Sequence, residues 1–199
     1  MRFPLIAAAS LALAGCGADD VYAPDEDVQR AVYVSDEPPS VTLFTVIRKS
    51  TGEGAHSGVM INGSQRIMLD PAGSWNHPLV PERHDVFFGI TPRMRAFYID
   101  YHARETYDVV EQRVPVSSEV AELAIRRALA QGSTPKAFCS TATTAVLRDL
   151  PGFERIPQSM FPGSTMRAFD RIPGVVKKRH LDGDPDNNSG VLLVQKKTG

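Results

Sequence analysis

An Asn-Gly step at residues 62–63 constrains the fold of this chain most, because it marks a tight hairpin between two apolar segments. Residues 56–62 read HSGVMIN and residues 66–70 read RIMLD. An Asn-Gly step between two apolar runs is a strong hairpin signal. A hairpin places the start of its first strand beside the end of its second. We therefore expect His56 and Asp70 to be neighbours.

The remaining pattern predicts an α+β domain over residues 41–199. Segments rich in β-branched and aromatic residues predict strands, and apolar spacing of three to four residues after a capping side chain predicts helices. The predicted strands are residues 41–49, 56–62, 66–70, 85–90, 107–116, 175–181 and 191–196. The predicted helices begin at Thr91-Pro92, at Ser117 or Ser118, near Cys139 and near Ser164, and residues 71–84 are predicted to form a long surface loop.

The amino terminus has the features of a secretory leader. An apolar run at residues 3–13 follows Arg2, and residues 13–16 read Leu-Ala-Gly-Cys, which resembles the lipobox of bacterial lipoproteins. The resemblance implies a signal peptide over residues 1–15, an acylated Cys16, and an envelope protein held on a membrane, with an outer-membrane position facing the periplasm as one address. Two or more acyl chains anchor a protein stably. The alternative is an ordinary cleaved leader with an incidental cysteine.

Residues 16–40 predict a flexible tether. Between residues 17 and 40 the sequence holds seven acidic residues and a single base, and the segment ends in Pro38-Pro39. Such a composition buries too little apolar surface to fold by itself. Net charge over the whole chain is −1, and no basic stripe is interleaved with aromatic residues. This pattern argues against nucleic acid as a partner.

Cys139 is the only thiol left if Cys16 is acylated. A reactive thiol needs a base or a positive field that stabilises its thiolate. A helix that begins near Cys139 would supply its dipole, His56 would take the proton, and Asp70 would orient the imidazole. Two alternatives stay open. Cys139 could be a small buried apolar residue, and a helix start at Pro135 would place the thiol one turn inside the helix.

Residues 56–73 resemble the strand pair of NlpC-like papain-fold enzymes, in which a histidine opens one strand and a polar residue lies at the facing end of the next. In those enzymes the nucleophilic cysteine begins a helix that precedes the strands. Here Cys139 follows them, which resembles the circularly permuted branch with the YaeF- and YiiX-like amidases and lecithin retinol acyltransferase. The resemblance covers roughly residues 41–150. It implies a permuted papain-like fold, with Cys139 as nucleophile, His56 as base and Asp70 as the third polar residue.

We therefore expect a monomeric, lipid-anchored cysteine amidase or peptidase that acts on a cell-wall peptide or on a lipid-linked amide or ester, without a cofactor. The alternatives are acyl transfer instead of hydrolysis, a non-catalytic lipoprotein that binds a lipid or wall fragment in the same cleft, and a small structural or adhesion module. Ser57, Ser140 and Trp75 are the candidate substrate contacts, and Trp75, expected on an exposed loop, is equally a candidate core anchor.

The sequence context of His77, His84 and His102 does not indicate a chemical role for them. His77 and His84, with Glu82, do not have the spacing of zinc ligands, so no metal site is expected there. His102 ends a predicted helix and is interpreted as a structural or surface residue.

Overall fold

The computed structural model describes residue 18 and residues 20–198, and the predicted signal peptide and Cys16 lie outside the described residues. Within the described residues, seven strands form one antiparallel sheet in the order β4-β5-β3-β2-β1-β6-β7, accompanied by six helices. The elements are α1 (Asp25–Ala31), β1 (Ser40–Arg48), β2 (Gly54–Asn62), β3 (Arg66–Leu69), β4 (Glu82–Arg83), β5 (Val86–Phe88), α2 (Pro92–His102), β6 (Tyr107–Pro115), α3 (Ser118–Ala130), α4 (Cys139–Leu147), α5 (Pro162–Phe169), β7 (Val176–His180) and α6 (Asn188–Thr198). The α+β class is confirmed.

Helices cover both faces of the sheet. Leu43 and Phe44 are consecutive in the central strand β1, so their side chains point to opposite faces, and both are fully buried. Leu43 belongs to the apolar core under α3, α4 and α5. Phe44 belongs to the core under α2, against which α6 also packs. The domain is therefore a three-layer arrangement with two apolar cores.

The local sequence signals for the hairpin and for the starts of α2 and α3 are confirmed. β2 and β3 pair antiparallel with Val59 opposite Leu69 and Asn62 opposite Arg66. Thr91 caps α2, because its side chain accepts a hydrogen bond from the Met94 amide. Ser117 caps α3 in the same way. These motifs succeed because each depends on a few adjacent residues.

The predicted strand at residues 191–196 is wrong, because these residues lie in α6. The Val and Leu run fits a strand by propensity, but packing against α2 decides the outcome. Gln195 is buried, and its Nε2 donates to the carbonyl oxygen of Phe97 at 2.9 Å and to the Asp100 carboxylate at 2.8 Å. Its Oε1 accepts from Trp75 Nε1 at 3.2 Å.

The predicted surface loop at residues 71–84 is more ordered than expected. Trp75 and His77 are buried, at 1% and 4% exposure, and the short strand β4 lies within the segment. The Trp75 ring packs against Phe87 and Tyr98. The loop therefore belongs to the core under α2, and the expected exposure of Trp75 is wrong.

Residues 20–39 differ from the solvated tether that their composition predicts. α1 forms within them, and Val28 packs against the core. The amide of Ala23 donates to the Glu82 carbonyl at 2.9 Å, and the Arg66 amide donates to the Tyr33 carbonyl at 2.8 Å. The acidic composition of the segment predicted a tether, because the few residues that hold it to the domain contribute little to that composition. Across residue 18 and residues 20–198, no helix is long and apolar enough to cross a membrane.

Candidate active site

Cys139 is the first residue of α4. Phe138 is the N-cap residue, with φ −105° and ψ 16°, so the helix begins at Cys139 and not at Pro135. The unpaired amides of a helix start and the helix dipole favour an anion at this position. Cys139 is 7% exposed and is a free thiol. The start of α4 therefore provides the positive field that a thiolate needs.

His56 lies near the start of β2 and connects the thiol to a carboxylate. Its Nε2 lies 2.6 Å from Asp70 Oδ1, and its ring lies close enough to the Cys139 thiol to lower the pKa of that thiol. Because Nε2 is engaged by Asp70, Nδ1 is the ring nitrogen left to exchange a proton with the thiol. The hairpin places His56 beside Asp70, as expected, and the fold brings Cys139 close to His56.

The small residues after His56 allow helices to approach from both faces. The Ser57 hydroxyl donates to Thr143 Oγ1 of α4 at 3.4 Å. A Cβ at Gly58 would stand 2.5 Å from the Tyr98 hydroxyl of α2. Gly58 therefore leaves the space in which that hydroxyl donates to Asp70 Oδ1 at 2.8 Å.

Charge coupling dominates the ionisation of these groups. Burial lowers the pKa of His56, but the Asp70 carboxylate and the Cys139 thiolate outweigh burial and raise it to about 10. Burial raises the pKa of Cys139, but the hydrogen bond and charge of His56 and the amides of Ser57 and Ser140 hold it below its ordinary value. Burial also raises the pKa of Asp70, and His56 and Tyr98 more than reverse that effect. The favoured state is a thiolate–imidazolium pair beside a carboxylate.

His102 belongs to this cluster, although its sequence context suggested a structural or surface residue. Its ring stacks on His56 with 5.5 Å between ring centroids and 5° between planes. Its Nδ1 hydrogen-bonds to the Tyr98 carbonyl at 2.8 Å. Burial and the charge of His56 lower its pKa to about 4, so the ring is neutral at physiological pH. The missed signal was its spacing of four residues from Tyr98, which places both on one face of α2.

His56, Asp70 and His102 also offer three ligand atoms within 4.8 Å of one another. Metal ions bind imidazoles through lone pairs in the ring plane, and these lone pairs must converge on one point. The rings of His56 and His102 are nearly parallel and stacked, so their lone pairs lie in parallel planes. The hydrogen bond between His56 Nε2 and Asp70 would also have to break. This arrangement suits proton transfer better than metal binding.

The three candidate substrate contacts have other roles in the structure. The Ser140 side chain is fully buried and its Oγ lies 2.8 Å from Thr165 Oγ1 of α5. Ser57 is fully buried against α4. What both serines offer to the site is their backbone amides, which help to lower the pKa of the Cys139 thiol. Trp75 anchors the core, as described above.

Backbone strain is concentrated around the site. Among the described residues, the non-glycine residues with positive φ are Ala72 (55°), His84 (47°), Asp85 (66°) and Ala137 (72°). Ala137 precedes Cys139 by two residues and Ala72 follows Asp70 by two residues. Residues forced into this region cost about 1–3 kcal/mol each and cluster at functional sites. Two of the strained residues thus lie on the segments that carry Asp70 and Cys139.

Two cavities flank the cluster and share residues Ala72, Gly73 and Ser74 as a common wall. The histidine cavity, about 260 Å³, is bordered by His56 and His102. The acidic cavity, about 580 Å³, is bordered by Asp20, Glu82 and Asp85, with Lys136 on its rim. The shared wall follows Asp70 directly in the chain, and His56 lines the histidine cavity.

Comparisons of the chain with protein-family models, with curated proteins and with solved structures found no match. The arrangement of the site therefore carries the functional argument.

Proposed function

We propose that this protein is a cysteine hydrolase of amide or ester bonds, with Cys139 as nucleophile, His56 as base and acid, and Asp70 as the residue that orients the imidazole. The observation that carries the proposal is the position of Cys139 at the start of α4, beside an imidazole that lowers the pKa of the thiol and is itself bound by a buried carboxylate. A permuted papain-like fold, in which the cysteine helix follows the histidine strand, agrees with this order of elements.

The proposed reaction proceeds through a thioester. The Cys139 thiolate attacks the substrate carbonyl, and the amide of Cys139 at the helix start stabilises the developing oxyanion. His56 then gives its proton to the leaving amine or alcohol. Water, deprotonated by His56, cleaves the thioester and releases the acid. A different acceptor in place of water would make the protein an acyltransferase.

The thiol's reactivity toward iodoacetamide between pH 8 and pH 5 tests the proposal. An isolated thiol titrates near pH 8.5, so its labelling falls steeply over this range. We expect Cys139 labelling to persist at pH 5, because His56 and the helix start stabilise the thiolate. His56→Ala should abolish this persistence and Asp70→Asn should weaken it. His180→Ala is the matched control, since His180 binds Glu111 on the far strands.

Labelling of the natural protein that follows an ordinary thiol titration would refute the ion pair. Incubation with purified peptidoglycan and with phospholipid, followed by mass spectrometry, then separates a hydrolase from a binding protein. A hydrolase releases products that Cys139→Ala does not release. Binding of either material without product release would favour the non-catalytic alternative, a lipoprotein that uses the same cleft as a binding site.

A further inference from the structure

The chain enters the domain beside the acidic cavity, through a segment that hydrogen bonds hold to the domain. We call residues 20–24 the strap. The strap lies along β4, because Tyr22 forms an antiparallel bridge with Arg83 and the His84 amide donates to the Val21 carbonyl at 3.0 Å. The Arg83 guanidinium lies 4.4 Å from the centroid of the Tyr22 ring. The strap is therefore part of the folded domain.

The first residue of the strap borders the acidic cavity. Asp20 pairs with His84 Nδ1 at 2.8 Å and accepts a hydrogen bond from the Ser133 hydroxyl at 3.2 Å. Asp20 and Val21 line the cavity together with residues 72–76, which follow Asp70. Thr134 and Lys136, which precede Cys139, also line it. The entry point of the chain thus lies at this cavity.

Chain length then limits how far this cavity can lie from an acyl group on Cys16. Only three residues separate Cys16 from Asp20, and an extended chain covers at most about 3.6 Å per residue, so the two Cα atoms lie within about 14 Å. A flexible tether over residues 17–40 would instead allow an average separation of about 27 Å. Because the strap is part of the folded domain, the link between Cys16 and the domain is short.

We propose that the strap holds the edge of the sheet that carries the acidic cavity against the membrane that holds acylated Cys16. The enzyme then cleaves an amide or ester carried by a lipid of that same membrane. This inference rests on the proposed hydrolase function and on the predicted acylation. Exposed apolar side chains on the strap and the adjoining loop agree with it: Val21 is 44% exposed, Tyr22 61% and Leu79 58%. Tyrosine and aliphatic side chains are favoured at lipid–water interfaces.

The chemistry is the same thioester sequence, with the acyl donor in the bilayer. Cys139 sulfur forms a bond to the acyl carbon as the lipid's carbon–oxygen or carbon–nitrogen bond breaks, and His56 protonates the departing alcohol or amine. Water then breaks the sulfur–carbon bond. A wall peptide is the less favourable substrate, because a link of at most about 14 Å keeps Asp20, and the cavity that it borders, close to the lipid.

Fluorescence quenching by the membrane tests the orientation with the full, acylated chain in vesicles. A label is placed on Asn76→Cys, at the cavity, or on Lys178→Cys, on the exposed strand β7, each in a Cys139→Ser background. Six strand spacings of about 4.8 Å separate β4 from β7, roughly 29 Å. We expect strong quenching at residue 76 by a quencher attached to lipid and little at residue 178. Equal quenching at the two positions, or stronger quenching at residue 178, would overturn the orientation.

Turnover by the acylated protein tests the substrate class. We expect cleavage of a lipid-linked ester in the protein's own vesicles to fall about tenfold when twenty Gly and Ser residues are inserted after Gly17, since the effective concentration of a tethered site falls with linker length. The same insertion after Gly152, at an exposed turn with open space around it, is the matched control. Cleavage of a soluble short-chain ester should be unchanged in both.

The outcomes distinguish the two proposals. If the natural protein fails to cleave the soluble ester and the lipid ester alike, the hydrolase function fails, while the quenching result still reports on orientation. If the soluble ester is cleaved but the insertion after Gly17 leaves lipid turnover unchanged, the membrane-seating inference fails. Faster cleavage of a purified wall peptide than of the lipid ester would overturn the proposed substrate class.

Discussion

At the scale of single residues, one carboxylate oxygen organises the site. Asp70 Oδ1 accepts hydrogen bonds from both His56 and Tyr98. Within residues 20–198, Oδ2 is buried and has no hydrogen-bond partner. A Cβ at Gly73 would overlap the carboxylate, so glycine at this position lets the loop close over Asp70. The carboxylate is held by packing on one side and by two donors on the other.

Substitution of His102 tests whether its ring positions His56. His102→Ala should lower kcat about tenfold with little change in KM, because the His56 ring loses the surface that fixes its plane. Aromatic stacking is worth about 0.5–1.5 kcal/mol, which corresponds to a factor of roughly two to ten. His102→Phe keeps a stacking ring and should restore most of the rate. Steady-state kinetics on the soluble ester measures both variants.

A purely structural role for His102 predicts a different result. In that case the alanine variant loses thermal stability while kcat per folded molecule stays constant, and phenylalanine gives no selective recovery of rate. The pH dependence provides a further readout. Activity should still decline above about pH 10 when the stack is lost, because His56 loses its proton there.

At the scale of elements, the site depends on how closely α5 approaches β2. A Cβ at Gly54 would overlap the backbone nitrogen of Gly163 in α5. The absence of a side chain at Gly54 therefore lets the helix pack directly against the strand that carries His56. Gly54 and Gly163 are more than a hundred residues apart in the sequence, which gave no sign of this contact. Sequence patterns predict local turns and caps but not which glycine faces a distant helix.

Gly54→Ala should lower the free energy of unfolding by about 1–3 kcal/mol, because overpacking against backbone atoms is relieved only by moving the helix. Labelling of Cys139 at pH 5 should fall as well, since displacement of β2 moves His56. Chemical denaturation and the iodoacetamide assay measure the two effects. Gly183→Ala is the matched control, because its Cβ would have nothing within 4 Å. Equal stability of the two variants would contradict the packing argument.

The same distinction explains which elements were predictable. The hairpin, the caps of α2 and α3, and the start of α4 follow from adjacent residues, so sequence reasoning located His56, Asp70 and Cys139. The helical state of residues 191–196 depends on Gln195 reaching Trp75 and α2. His102 joins the site only when α2 lies across the hairpin. These features require tertiary contacts that hydrophobic periodicity does not contain.

At the scale of the whole molecule, a buried arginine fastens the amino-terminal segment to the sheet. Arg66 is 1% exposed, and its guanidinium hydrogen-bonds to Ser35, pairs with Glu37 at 3.3 Å and lies over the Tyr33 ring. Burial of an arginine is tolerated only when its donors are satisfied. Residues 33–37 supply those partners, so the arginine and the segment stabilise each other.

Limited proteolysis tests this coupling. We expect residues 31–39 of the natural protein to resist a nonspecific protease, and Arg66→Ala to open them to cleavage at least tenfold faster. Arg127→Ala, which removes a surface pair with Asp149, is the control and should change nothing. Mass spectrometry of the first cleavage products identifies the site. Rapid cleavage of the natural protein between residues 31 and 39 would show that the segment is a loose tether after all.

The arrangement of the sheet also bears on association between copies. An open sheet has two edge strands with unpaired backbone groups, which favour strand-to-strand aggregation. Here the strap pairs along β4, while the opposite edge, β7, presents the consecutive bases Lys177, Lys178 and Arg179. Charged side chains on an exposed edge strand oppose the approach of a second strand, because pairing would remove them from water. One edge is thus shielded by the protein's own chain and the other by charged side chains, which opposes polymerisation of the molecules through their sheets.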